Sequence, residues 1–460
     1  MTGAPAAEVA ALAAPAAPGD LWVLAHGVGG RTDLPVPFWL ALYGAGIAVV
    51  LSFAALGALW PTPRLSPDKG RPLPRVLAAV ADSPVFRGVL RGVVLAATLV
   101  LLAAAFAGGP DEASNPLPWF LFIVFWVGLV PVSLLFGPVW RIVSPLRTLH
   151  ALVSRVAGGD PDEGLRDLPP GLGYWPATVG ISAFVWLELV LPITADARAL
   201  GIILLLYGVA HLVAASVYGA GWFARAEAFE VYSTLVGRLA PIGRLPDGRL
   251  GLRNPLGGLS GVRAEPGLVA FVVVLLGSTA FDGVTRTSWW GEFAGDRGGW
   301  AAVPKGTLGL VLCCAVVAVT YIAATRASGR TARADAGPLP GAFVHSVVPI
   351  AVGYAVAHYF TLLLFEGQQA LRLASDPFGT GANWFGTADH NVDFTVISPR
   401  TVALVQIGGI VVGHVLGVIA AHDRAISLFK GRAAVRGQYP LLAVMVAYTL
   451  GGVALLLGTG

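Results

Sequence analysis

The sequence predicts an all-α fold, a polytopic transmembrane helix bundle of about ten spans. Three observations carry that reading. Of the 460 residues, 56% are hydrophobic and 12% are charged, about half the charge of an ordinary soluble domain. Long apolar stretches recur at lengths that match a bilayer core of about 30 Å. The basic residues are also unevenly distributed between alternate loops, as orientation across a membrane requires.

The spans follow in order. The first runs from Phe38 to Trp60, the second from Val89 to Ala107 and the third from Leu117 to Trp140. The fourth covers Pro176 to Ile193, the fifth Ala199 to Tyr218 and the sixth Gly267 to Val284. The seventh covers Gly306 to Thr325 and the eighth Gly341 to Gln368. The ninth runs from Pro399 to Ala421 and the tenth from Gln438 to Leu457. With loops alternating sides, one set holds 23 of the 30 Lys and Arg residues. That set is expected to face the cytoplasm, with both termini outside. The organisation is therefore an outer N-terminal segment, 1–37, and a single membrane domain, 38–457. Cytoplasmic loops fall at 61–88, 141–175 and 219–266, and outer loops at 286–305 and 372–398. The segment 1–37 is Ala- and Pro-rich, lacks a basic n-region, and is either signal-like or without fixed structure.

The arginine-rich loops have patterns of their own. Arg141 to Val156 is amphipathic and expected along the interface. Gly221 to Leu239 is helical in pattern, with Arg225, Glu227 and Glu230 on its polar side. Asp247-Gly248 is a turn signal that closes a small hairpin. The basic residues here serve orientation and contact with lipid headgroups. The outer loops are rich in Gly and aromatics, as an interfacial belt or as a lid over a cavity.

Several function classes are excluded or weakened. The chain has two cysteines, adjacent at 313 and 314, so no disulfide framework or CxxC metal site exists. It carries no nucleic-acid-binding basic arm, P-loop or dinucleotide fingerprint. Gly409, Gly413 and Gly417 lie four apart on the ninth span, a stripe that lets another helix approach closely, in this chain or in a partner.

Ionisable residues inside a bilayer usually face a cavity or one another. Here they are Glu188, His211, Asp282, His345, His358, Glu366 and His414. By depth, Glu188, Asp282, His358 and Glu366 fall in the outer half, near a loop carrying Asp376, Asp389, His390 and Asp393. His358 and Glu366 are about 80° apart around a helix, so they border one space without stacking. The acids and imidazoles read as a divalent-metal site, as a metal-free hydrogen-bonded cluster, or as separate helix-pairing groups. His26 and Asp33 lie in the outer N-terminal segment. Ser278, Thr279 and Asp282 leave a weak trace of a nucleophile, without a GxSxG elbow.

Certain longer stretches stand out. They are His26-Gly27 with Gly30 to Pro35, Phe125 to Pro131 with Phe136 to Trp140, and Pro145 to Arg147. Leu239 to Pro241, Asp247 to Arg249, Arg253 to Leu256 and Thr279 to Gly283 follow. His345 to Phe360 and Gly413 to Ala425 complete them. From about His26 to Phe429 these resemble the actinobacterial integral-membrane proteins known as fenitrothion hydrolases. The resemblance implies hydrolysis of an apolar phosphotriester or related ester, without a residue assignment to carry over. Such hydrolysis is commonly metal-assisted. It would set His358, His390 and Asp282 as ligands of a divalent metal, with Glu188 or Glu366 as general base. The catalytic candidates are thus Glu188, Asp282 and Glu366. The rival expectations are a proton- or metal-coupled permease and a non-catalytic component of a membrane complex. All three place the chain in the plasma membrane.

Overall fold

The computed structural model describes residues 37–295, 298–332 and 338–457. The N-terminal segment, with His26 and Asp33 and the expected leader-like stretch, lies outside the described residues. Among those described, nine helices are long and apolar enough to cross a membrane, and a shorter apolar helix joins them. The polytopic helical bundle is therefore the fold.

Helix α1 (Phe38–Leu59) stops before Pro61, which has no N–H to continue it. Strand β1 (Gly70–Pro72) and the short helix α2 (Arg75–Asp82) precede α3 (Pro84–Ala107), whose N-cap is Ser83. Asn115 then ties α3 to α4 (Pro116–Phe136). Its amide donates to Ala104 O at 2.8 Å and its oxygen accepts Leu117 N–H at 3.0 Å. The middle of α4, Phe120–Val127, is wound as a π-helix. Pro131 explains part of this, because it cannot donate to the Val127 carbonyl and the preceding turns widen.

Helix α5 (Pro145–Val156) is capped by Ser144 and exposes Leu152 and Val153. Helix α6 (Trp175–Leu189) is shorter than the span expected from Pro176 to Ile193. Pro192 is the cause: it lacks an N–H for the Glu188 carbonyl, so the helix ends one residue after Glu188. Helix α7 (Ala197–Tyr218) follows, capped by Asp196, whose Oδ1 accepts Ala199 N–H at 2.9 Å.

Between α7 and the next span lies α8 (Ala228–Gly237), which corrects one expectation. Glu227 and Glu230 were placed on a polar face, but both are 1% exposed. Strands β2 (Ile242–Arg244) and β3 (Leu250–Arg253) form the anticipated hairpin. It turns through Gly248 at φ +80°, a conformation that favours glycine. Strand β1 adds to β3 antiparallel, with Arg71 opposite Leu252, giving a sheet in the order β1-β3-β2. The sheet gathers two arginine-rich loops, and Arg424 joins them by donating to Ser260 O at 2.9 Å.

The remaining spans are α9 (Leu268–Thr285), α10 (Val303–Ala332), α11 (Val348–Ser375), α12 (Pro399–Leu428) and α13 (Tyr439–Leu457). Helices α11 and α12 make the most extensive pairing in the bundle. The glycine stripe explains it. A Cβ at Gly413 would lie 2.6 Å from Pro349 O, and one at Gly417 would lie 2.7 Å from Ser346 O. The stripe is therefore filled from within the chain. Helix α9 packs against α6, α10 and α11, so its polar residues face the centre.

Candidate functional site

Asp282 lies in the last turn of α9, and His358 lies about a third of the way along α11. The packing of these helices brings them together. His358 Nε2 is 2.7 Å from Asp282 Oδ2. Tyr359, the next residue along α11, donates its hydroxyl to the same oxygen at 3.1 Å. Arg286 stands one turn beyond Asp282. Its Nη2 is 3.3 Å from Asp282 Oδ1 and 2.7 Å from His358 Nε2.

This geometry makes one proton position serve three groups. A ring nitrogen either donates a hydrogen or accepts one. If Nε2 carries hydrogen it satisfies Asp282, and the Arg286 contact loses its acceptor. If Nε2 is bare it accepts from Arg286, and its contact with the ionised Asp282 carboxylate lacks a hydrogen. A single hydrogen on Nε2 therefore serves one of these two neighbours and not both. His358 Nδ1 is buried and has no hydrogen-bond partner among the described residues, so the other ring nitrogen does not fix the tautomer. The side chains become more exposed along the row, from 1% at His358 to 12% at Asp282 and 23% at Arg286. The row therefore runs from the core toward one end of the bundle.

The neighbourhood is aromatic. Tyr354 stacks on His358 with ring centroids 5.4 Å apart. Gly283 permits this approach, since a Cβ there would lie 2.7 Å from the Tyr354 hydroxyl. Glu188, at the end of α6, is within electrostatic reach of Asp282, Tyr232 and Tyr359. Its Oε2 is buried and makes no hydrogen bond within the described residues. A narrow apolar cavity, with room for about one water molecule in this conformation, adjoins these groups and is lined by Trp126, Tyr232, Val272, Thr279, Val352 and Tyr359. The π-wound part of α4 supplies Trp126.

The other sequence candidates lie elsewhere. Glu366 is two turns past His358, about 12 Å along the helix, and its carboxyl senses Glu112 rather than Asp282. Asp389 and His390 are exposed on the outer loop, which begins at 376 rather than the expected 372 because α11 runs on to Ser375. That loop is tied to the end of α11 by Gln368, whose Oε1 accepts Asp393 N–H at 2.9 Å. Ser278 and Thr279 donate to carbonyls of their own helix, Leu275 among them, and not to Asp282. His211 accepts from Trp222 Nε1 at 3.0 Å, a structural bond across a turn. His414 bonds its own helix at Ile410 O.

The expected metal ligands are thus divided. Asp282 and His358 meet, while His390 is on the loop and the third place is taken by the Arg286 guanidinium. Among the described residues, no group of three or more His, Cys, Asp and Glu is placed to hold a metal ion. A guanidinium 2.7 Å from the imidazole nitrogen also repels a divalent cation. The residues present do not fit one.

Sequence reading missed Arg286 and Tyr359. Arg286 was the first residue of an outer loop, yet its spacing of four from Asp282 is the signal of a helical ion pair. Tyr359 had no signal beyond its place beside His358. Comparison of the chain with family models, with curated proteins and with solved structures finds no match.

Proposed function

We propose that this chain is a proton-coupled permease for a small, largely apolar solute. The observation that carries the reading is the double role of Tyr359. Its ring lines the apolar pocket, and its hydroxyl bonds the carboxylate of the proton-holding cluster. A solute that moves the ring disturbs Asp282, and a proton that arrives at Asp282 or His358 alters the hold on the ring. Coupling needs a ligand with different free energies in two states, and a shared residue supplies one. In this reading the arginine-rich end faces the cytoplasm and both termini lie outside, as the 23 of 30 basic residues in one set of loops favour. The membrane is the plasma membrane.

The test is reconstitution into vesicles loaded with a pH-sensitive dye. Addition of apolar solutes to the wild-type protein produces a proton flux, and Asp282→Asn and His358→Gln abolish it while the protein remains folded. Flux that persists in both variants sinks the proposal.

A second reading has its own support. A carboxylate orienting a buried imidazole is also the arrangement that activates water as a nucleophile. With the resemblance to fenitrothion hydrolases, this supports ester hydrolysis at Asp282 and His358. Turnover of an organophosphate by the same folded preparation, lost in His358→Gln and without proton flux, would favour it over transport.

A further inference from the structure

The cavity beside Tyr359 has two polar neighbours that the Asp282 cluster does not use. Trp126 Nε1 and Glu188 Oε2 are both buried, and neither has a hydrogen-bond partner among the described residues. Trp126 is 5% exposed and lines the cavity from α4. Glu188 reaches the same place from α6. Helices α6 and α9 start side by side, where Tyr174 N–H donates to Pro266 O at 2.7 Å and the Thr178 hydroxyl to Gly267 O at 3.2 Å. They stay packed along their length. With equal rise per residue, Glu188 arrives at the height of Phe281, between Thr279 and Asp282. Thr279 lines the cavity too. The face is set by Phe184, one turn before Glu188 on the same side of α6. Its ring packs on Trp126 with centroids 4.9 Å apart. The indole acts on the Glu188 carboxyl without closing a hydrogen bond.

A buried donor and a buried acceptor thus stand together at the edge of an apolar space, and leaving either unmet is unfavourable. The inventory of polar groups decides which ligand meets both. An ammonium donates to an ionised carboxylate but offers the indole nothing. An ether or ketone oxygen accepts from the indole but offers an ionised carboxylate nothing. A hydroxyl does both, and it also accepts from the carboxyl when that is protonated. It fits the space as well, which holds about one water molecule in this conformation.

We infer that the solute of this site carries a hydroxyl group, as an alcohol or a phenol, whose oxygen accepts from Trp126 Nε1 and whose hydrogen goes to Glu188 Oε2. The inference rests on the transport reading, in which the apolar body of the solute makes room for itself by moving the Tyr359 ring.

Calorimetry of the full chain in lipid nanodiscs, with empty nanodiscs as the blank, tests it. The probes are benzyl alcohol, benzyl methyl ether, benzylamine and toluene, which share a ring and differ in the polar group. The wild type should bind benzyl alcohol about tenfold or more tighter than the ether or toluene. Glu188→Leu and Trp126→Phe should each lose most of that preference. Glu188→Gln, whose amide oxygen still accepts, should keep much of it, which separates a lost bond from a damaged fold. Equal binding of the four probes overturns the inference, as does an alcohol preference unchanged in both Glu188→Leu and Trp126→Phe. Tightest binding of benzylamine, dependent on Glu188 alone, would make this an ammonium site and overturn the hydroxyl assignment. Binding is read without a proton gradient, so the two readings fail separately. Alcohol-selective binding without proton flux in vesicles keeps this site and sinks the transport reading. Flux driven equally by toluene and benzyl alcohol keeps transport and overturns the hydroxyl.

Discussion

The hydroxyl of Tyr359 lies 3.1 Å from Asp282 Oδ2, although 77 residues separate them in the chain. The pairing holds α11 against the end of α9 at the level of the Arg286 and His358 contacts. It also makes one phenol part of two surroundings, a charged cluster above and an apolar pocket beside it.

Tyr359→Phe separates these two surroundings. The ring is kept, so solute binding in the pocket should change little. The bond to Asp282 is lost, and a hydrogen bond to a charged group is worth about 1.5–3 kcal/mol. The expected outcome is near-normal solute affinity by calorimetry with proton flux reduced about tenfold or more. Equal loss of both would place the residue in general packing instead.

Glu227 gives a pH prediction at the arginine-rich end, outside the spanning helices. Its carboxylate accepts from Trp140 Nε1 at 2.9 Å, Tyr207 hydroxyl at 2.6 Å, and the backbone N–H groups of Phe229 and Glu230. Burial nevertheless pushes its pKa up from 4.5 to about 7, with the Tyr207 bond opposing. A carboxyl that holds its proton more tightly when folded favours the folded state at low pH. That advantage is complete below 4.5, declines as pH rises, and is gone above about 7. Thermal unfolding in detergent should therefore show stability falling through this window. Glu227→Gln should flatten the profile, and a profile identical to wild type would count against the assignment.

Much of this architecture was legible in the sequence, and its limits have physical causes. Spans are set by apolar length, which the chain states directly, so the helices fall where hydropathy placed them. Asp247-Gly248 announced its hairpin through local turn chemistry. The early end of α6 was legible too, because Pro192 is a local signal, though hydropathy alone ran past it. The candidate site was legible in parts. The scarcity of charge singled out Asp282, His358 and Glu188 by depth, but lateral position depends on helix rotation, which one sequence does not encode locally. That is why Glu366 and His390, equally suitable by depth, fall outside the cluster. The burial of Glu227 and Glu230 was illegible for a related reason: their partners Trp140, Arg147 and Tyr207 come from distant segments.

Two of the ion pairs on this end should differ sharply in weight. Arg147 binds Glu230, which is 1% exposed, whereas Arg244 binds Asp82, whose side chain is 38% exposed. Removing one partner of a buried pair strands the other charge and costs about 3–5 kcal/mol. Removing one from an exposed pair costs about 0–1 kcal/mol. Arg147→Ala should thus lower the melting temperature markedly, and Arg244→Ala hardly at all, in the same scan. Comparable shifts would mean that water reaches Glu230 in the folded protein.

The glycine stripe on α12 supplies the last prediction, and a control stands inside the same helix. A Cβ at Gly413 would meet Pro349 O at 2.6 Å and Gly353 Cα at 3.0 Å, while one at Gly408 would meet nothing within 4 Å. Both residues are helical, so Ala improves helix propensity equally at either position, by up to about 1 kcal/mol. At Gly408 that gain is unopposed. At Gly413 the backbones of α11 and α12 must separate, at a cost of about 1–3 kcal/mol. Gly408→Ala should therefore be neutral or stabilising and Gly413→Ala destabilising, as read by thermal unfolding in detergent. Because α11 carries His358 and Tyr359, the separation should also weaken their contacts with Asp282, so proton flux should fall in Gly413→Ala and be kept in Gly408→Ala. If Gly413→Ala instead leaves stability intact and disperses an oligomer, the stripe serves a second chain and not α11.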